Sequence, residues 1–213
     1  MQPVKYRYIV VEGPIGVGKT SLAKRLAERM EAETLLERPE QNPFLARFYQ
    51  DMPRWALPTQ LFFLFQRMNQ LRELAQLSLF SGITVADFLL EKDPLFARLT
   101  LESEELALYQ QIYGTLKLQV PQPDVVIYLH AEPGVLAERV RRRAADFERG
   151  MSTEYLAVLA EQYGRFFYHY NASPVLIVNS ERLNFVDKDR DLDLLIERLM
   201  GMRGGREFFN FGD

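Results

Sequence analysis

The chain has no cysteine and only two histidines among its 213 residues. A disulfide, a thiolate nucleophile and a cysteine-based zinc site are therefore excluded, and two histidines cannot build a multi-histidine metal centre. Long apolar runs are missing as well. Stretches such as Leu61 to Phe65 fall far short of the ~20 residues that a membrane helix needs, so no membrane partner is expected. Near the N-terminus only Tyr8 to Val11 stands apolar between charged residues, with neither the hydrophobic core nor the cleavage site of a secretory signal. A cytoplasmic location is the expectation. Nor is there an excess of positive charge. The formal net charge is −3, which gives no general field for nucleic acid, so any bound anion must be met by a local cluster. Repeats and low-complexity tracts are also absent. What is present is an ordinary globular composition, 47% apolar and 26% charged. The length suits a single domain over residues 1–213 and leaves no room for two catalytic ones.

Five short runs read as strands: Tyr6 to Val11, Glu33 to Glu37, Ile83 to Asp87, Val125 to His130 and Val175 to Asn179. Helical stretches separate them, which predicts an α/β fold with a five-stranded, mostly parallel sheet flanked by helices. Between the second and third strands, Leu61, Phe65, Met68 and Ala75 fall at helical spacing after Pro58, a residue tolerated near a helix start. A second long helix is expected from about Glu102 to Lys117. Such a pair could pack on the sheet and still offer a face to a partner subunit. The tail from Gly201, with three glycines before Phe208, Phe209 and Phe211, reads as irregular, with its phenylalanines docked.

Gly13-Pro14-Ile15-Gly16-Val17-Gly18-Lys19-Thr20 fits G-x-x-x-x-G-K-[ST], placed between a predicted strand and a helix beginning at Lys19. Glycines let successive backbone N–H groups turn inward around phosphate oxygens, and the helix adds the positive end of its dipole. Lys19 would reach the β- and γ-phosphates while the Thr20 hydroxyl ligates Mg²⁺. A nucleoside triphosphate follows. The loop alone does not choose among kinase, GTPase and motor ATPase. An N-K-x-D guanine reader is absent and the length excludes the larger ATPases, so small kinases remain.

Carboxylates at strand ends are candidates for the acceptor side, because ligands in parallel sheets gather at the carboxyl ends of strands. Glu37 at the end of the second strand could take the proton of an attacking hydroxyl, with Glu40 a rival by proximity. Asp87, closing the third, could hold Mg²⁺ directly or through water. Gln60 and Arg67 lie two helical turns apart with Phe63 and Leu64 between them, donors and acceptors suited to a planar base. Arg139, Arg141, Arg142 and Arg143 crowd one helix, and Arg139, Arg142 and Arg143 share a face. They suit a lid, at about residues 139–150, that closes over transferring phosphates. A solvated basic surface paired with Glu138 and Glu148 is the plainer alternative, and a nucleic-acid patch is a third.

Together these residues resemble the deoxynucleoside kinase family, in particular its bacterial deoxyadenosine/deoxyguanosine kinase branch. The resemblance spans nearly the whole chain. It rests on Gly13 to Thr20, Leu36-Glu37-Arg38-Pro39, Asn42-Pro43-Phe44-Leu45, Tyr49, Arg54-Trp55, Gln60, Arg139 to Arg143, and Glu148 before Tyr155. It implies a P-loop kinase fold with an arginine-bearing helical lid, ATP and Mg²⁺ as cofactors, and a small-molecule deoxynucleoside as substrate. It further implies Glu37 as general base, Tyr49 and Glu148 on the sugar 3′-hydroxyl, Gln60 and Arg67 on the base, Asp93 as the partner of Arg67, and Arg139 and Arg143 as lid arginines. Phe96 would be a stacking wall and a homodimer the assembly. The expected reaction carries the γ-phosphoryl group of ATP to the 5′-hydroxyl of a purine deoxyribonucleoside, deoxyadenosine first, or of deoxycytidine. A monophosphate kinase of the thymidylate kinase type and an inert deoxynucleotide sensor are the alternatives.

Two positions depart from the family pattern. Its Glu-Arg-Ser or Asp-Arg-Ser at the end of the third strand is here Asp87-Phe88-Leu89, so Lys92 or a lid arginine must replace the missing arginine or turnover suffers. Ala145 stands where the lid often has another basic residue.

Overall fold

The computed structural model describes residues 5–77, 82–117, 120–148, 150–181, 183–185 and 188–209. In chain order the elements are β1 (Tyr8–Glu12), α1 (Lys19–Met30), β2 (Glu33–Leu35), α2 (Leu45–Phe48), α3 (Met52–Leu77), β3 (Thr84–Ala86) and α4 (Asp93–Thr100). Then follow α5 (Ser103–Lys117), β4 (Val125–His130), α6 (Pro133–Arg143), α7 (Thr153–His169), β5 (Val175–Asn179), α8 (Asp189–Gly201) and β6 (Arg206–Phe209). All strands are parallel, in the order β2-β3-β1-β4-β5-β6. No helix among the described residues is long and apolar enough to cross a membrane.

β1 is central, and Ile9, Val10 and Val11 are wholly buried, as a strand covered on both faces requires. The period of two sorts its neighbours. Ile9, Val11, Val85, Ile127 and Leu129 pack with Leu22 and Leu26 of α1 and Leu192 and Leu195 of α8. Val10, Ala86, Val126 and Tyr128 turn the other way, onto Leu159, Tyr163 and Phe167 of α7. A third core joins α2, α3, α4 and α5 around Leu64, Met68, Ala97 and Tyr109 beyond the sheet. Because chain order splits around β1, its carboxyl end opens into the crevice where ligands of such sheets bind.

Two expectations need correction. Among the described residues the sheet has six strands, since Arg206–Phe209 pairs in register with residues 175–178 of β5. Arg206 also donates to the carbonyls of Phe167, Tyr168 and Tyr170, pinning the tail to the end of α7. Of the tail phenylalanines, Phe209 packs on the core and Phe208 is exposed, while Phe211 lies outside the described residues. The helix expected to begin near Pro58 starts at Met52 and carries Pro58 inside it. Ala56, Leu64, Met68 and Leu71 are buried along it, and that packing offsets the hydrogen bond the proline cannot make.

Candidate active site

The turn between β1 and α1 is shaped by glycine at two tight points. Gly13 has φ +154° and a Cβ there would stand 2.2 Å from the Leu129 carbonyl oxygen, while Gly16 has φ +85° and a Cβ would stand 2.8 Å from that of Leu136. The loop is thus pressed against β4 and α6, and only glycine lets it lie there. Lys19 at the head of α1 folds back over it, Nζ donating to the carbonyls of Gly13 (2.8 Å) and Pro14 (3.2 Å).

Two cavities meet at this loop, sharing Gly16 and Arg143. One is lined by Val17, Gly18, Ser21, Arg139, Arg142, Ser180 and Asn184. Arg139 is tied there to the Val17 carbonyl (3.2 Å) and to Ser180 (3.1 Å to Oγ, 2.8 Å to the carbonyl), whereas Arg142 pairs with Glu138 at the surface. The other cavity gathers Lys19, Thr20, Glu37, Tyr49, Gln60, Arg67, Asp87, Arg143 and Glu148. Phe96, Phe63 and Tyr155 line its apolar walls. Of the two rival carboxylates, Glu37 lines this cavity, whereas Glu40 is exposed and does not. Asp93 stands behind Arg67 and not in the wall, and Leu64 belongs to the core. Glu148 is buried and binds Arg143 through both oxygens.

Glu37 is held asymmetrically. Arg67 donates from both Nε (2.7 Å) and one terminal nitrogen to Glu37 Oε1, and its other terminal nitrogen reaches Asp93 Oδ1 at 2.5 Å. No hydrogen bond from the described residues reaches Glu37 Oε2. Burial pushes the Glu37 carboxyl up, but Arg67, Lys92 and Lys19 outweigh it and bring it down to about 2. Asp93 goes the other way, because burial dominates the relief it takes from Arg67. Across the loop, Asp87 Oδ2 accepts from Thr20 Oγ1 (2.5 Å) and Oδ1 from the Glu37 backbone N–H (2.7 Å), and burial raises its carboxyl.

Thr20 and Asp87 fit a magnesium ion. They supply two hard oxygens beside the lysine of the loop, and no group of three or more His, Cys, Asp or Glu gathers among the described residues. That is the donor set of an ion that borrows its remaining ligands from phosphates and water.

Sequence reading missed Glu12, which is wholly buried. It accepts from the backbone N–H groups of Gly13 (2.8 Å) and Leu89 (2.7 Å) and from the Tyr163 hydroxyl (3.0 Å). The available signal was a charged residue ending a β-branched run directly before the loop.

A glycine-rich loop after the central parallel strand, a following helix, a lysine, and carboxylates beyond the carboxyl ends of the neighbouring strands β2 and β3 define a P-loop phosphotransferase. A sequence model of the deoxynucleoside kinase family matches residues 9–201. The chain is 36% identical over 157 residues to a deoxyguanosine kinase of Bacillus subtilis, covering 73% of this chain and 76% of that one. It is 30% identical over 193 residues to a deoxyadenosine kinase of Lactobacillus acidophilus, covering 84% and 87%. Its fold matches that of a deoxyadenosine kinase from M. mycoides solved with dCMP and dCDP, with TM-score 0.79, 22% identity and coverage of 91% and 99%. The chain belongs to the deoxynucleoside kinase family. Its reaction is the phosphorylation of a nucleoside to the monophosphate.

Lys19 gives this site a pH signature. Burial and the neighbouring Lys92 ammonium lower its pKa to about 8 against the pull of Glu12, Glu37 and Asp87. As pH rises through that value the loop lysine of the free protein loses its charge. The expected result is a kcat/KM for ATP that falls above about pH 8, roughly tenfold per pH unit, in a pH–rate profile. A flat profile to pH 10 would show that Lys19 keeps its proton.

Proposed function

We propose that the enzyme transfers the γ-phosphoryl group of Mg-ATP to the 5′-hydroxyl of a purine deoxyribonucleoside. The observation that carries this is Glu37: one carboxylate oxygen anchored on Arg67, the other left for an acceptor, in a pocket shared with Lys19. The triphosphate lies against the loop and Arg139, and the nucleoside fills the pocket between Glu37 and Gln60. Thr20 and Asp87 hold Mg²⁺, which when bound neutralises charge on the phosphates. Lys19 and Arg143 meet the transferring group, and Glu37 Oε2 takes the hydroxyl proton. Tyr49 and Glu148 grip the 3′-hydroxyl, and Gln60 and Arg67 read the base with Asp93 fixing Arg67. A carboxylate with its pKa near 2 is a weak base. It suffices, because in a loose transition state the proton leaves late, when the new O–P bond has already acidified the hydroxyl.

The purine preference is supported by the bidentate-capable Arg67 at the base end of the pocket and by the relatives named for deoxyguanosine and deoxyadenosine. Against a monophosphate acceptor stands the ionised Glu37 carboxylate in the pocket, which would repel the acceptor's own phosphate. The test is ADP release with Mg-ATP and each of the four deoxynucleosides and their monophosphates. Turnover is expected with deoxyadenosine or deoxyguanosine at the highest kcat/KM and with no monophosphate. Turnover confined to a monophosphate overturns the acceptor.

The enzyme works as a homodimer through α3 and α5, where Phe65 and Leu108 are each 47% exposed. Sedimentation should give a dimer that Leu108→Glu converts to monomer; a monomeric wild type removes the assembly.

A further inference from the structure

Lys92 closes the turn Leu90–Lys92 between β3 and α4 and is 2% exposed. Burying an ammonium carries a large desolvation cost unless it is paired. Its Nζ lies 3.3 Å from Glu12 Oε2 and 3.8 Å from Glu37 Oε1, and the side chain lines the pocket with Lys19, Glu37 and Asp87. Glu12 has three other donors, from Gly13, Leu89 and Tyr163, so hydrogen bonding alone does not call for a lysine there. Phe88, beside Asp87, is wholly buried in the helical core and brings nothing to the pocket. The ammonium therefore sits between a carboxylate fixed to the central strand and the carboxylate of the reacting site.

Arg67 is the other anchor of Glu37, and on the reading given above its donors are the ones a nucleobase recruits. We propose that Lys92 is the positioning residue of Glu37. Braced by Glu12, it holds Oε1 while Arg67 is engaged by the base, so that Oε2 stays turned to the acceptor hydroxyl. The consequence is a residue whose loss slows the chemical step and spares binding, because Lys92 acts on the reaction through Glu37.

This inference rests on the deoxynucleoside kinase reading, and the wild-type assay separates the two: no turnover of any deoxynucleoside by wild type defeats that reading and leaves Lys92 without a role. Given turnover, Lys92→Met is expected to lower kcat about 100-fold, as for a misplacement of roughly 1 Å, with KM for ATP and nucleoside within about threefold. Circular dichroism melts establish that the variant is folded. A folded Lys92→Met with kcat within threefold of wild type overturns the proposal. If that variant does not fold, Glu12→Gln/Lys92→Met, which removes both buried charges, is compared with Glu12→Gln alone. A kcat still about 100-fold lower in the double variant sustains the positioning role. Equal kcat in the two assigns Lys92 to balancing Glu12 and ends the proposal.

Discussion

Replacing Glu37 by glutamine is expected to lower kcat by about 10³-fold, within the range that a positioned acid or base contributes. The substitution keeps the shape of the side chain and one oxygen to accept from Arg67, so the anchor survives. What it removes is the carboxylate oxygen that faces the acceptor and could take a proton, since an amide nitrogen in place of Oε2 donates and cannot accept. ATP should bind nearly as before, because the loop, Lys19 and Arg139 are untouched. The check is a coupled assay of ADP release beside a fluorescence titration with an ATP analogue. Turnover at the wild-type level would remove Glu37 from the mechanism. A parallel loss of ATP affinity would mean that the loop had been disturbed. Glu37 also ties stability to pH. Its folded pKa lies below the ordinary 4.5, so the stabilisation it brings is present above pH 4.5 and fades as pH falls towards 2. The glutamine variant lacks that part of the acid sensitivity.

The parts legible in sequence were those governed by local pattern. The loop from Gly13 to Thr20 declared itself through spacing, and the strands at Val125–His130 and Val175–Asn179 fall where continuous apolar runs put them. β6 was illegible because Arg206–Phe209 is a four-residue edge strand, Arg-Glu-Phe-Phe, with no polar/apolar alternation after a glycine turn; its pairing with β5, not its composition, makes it a strand. The start of α3 was hidden by Pro58, where burial of one long helical face overrides a local breaker. In the site, residue types pointed to Glu37, Arg67 and Asp87, and the family resemblance to Glu148 and to Asp93 as partner of Arg67, yet how the groups are tied to one another is a tertiary fact. That Arg67 joins Glu37 to Asp93 follows from elements far apart in sequence, whereas Arg143 is held by Glu148 only five residues further along the chain. Glu12 escaped notice because a buried charge in a central strand contradicts the rule by which strands are found. Lys92 was visible only as one of two substitutes for an absent arginine, and its place between two carboxylates needed the fold.

Removing the Arg67 guanidinium should have the largest effect on stability. Its side chain is 6% exposed, Asp93 is 1% exposed and Glu37 19% exposed, so Arg67→Met strands two carboxylates in a site that cannot solvate them. Breaking a buried pair by deleting one partner costs about 3–5 kcal/mol. The sign of the pH dependence identifies the cause. In the wild type Arg67 is the chief cation holding Glu37 down and the chief relief for Asp93. Without it the Asp93 carboxyl, already raised by burial, rises further and Glu37 loses its chief cation, so the native state of the variant holds protons that the unfolded state has released. Stability then falls as pH rises, so the deficit measured by urea unfolding should be largest at pH 8 and smaller at pH 5.5. Lys92, 3.8 Å from Glu37, softens the change there, which leaves Asp93 as the main source of the slope. Adding Asp93→Leu to Arg67→Met should therefore recover much of the loss and flatten the pH dependence, while the double variant no longer distinguishes purine from pyrimidine deoxynucleosides. A deficit equal at both pH values would show that lost packing of the arginine stem, and not stranded charge, carries the effect, and that the guanidinium serves the base alone.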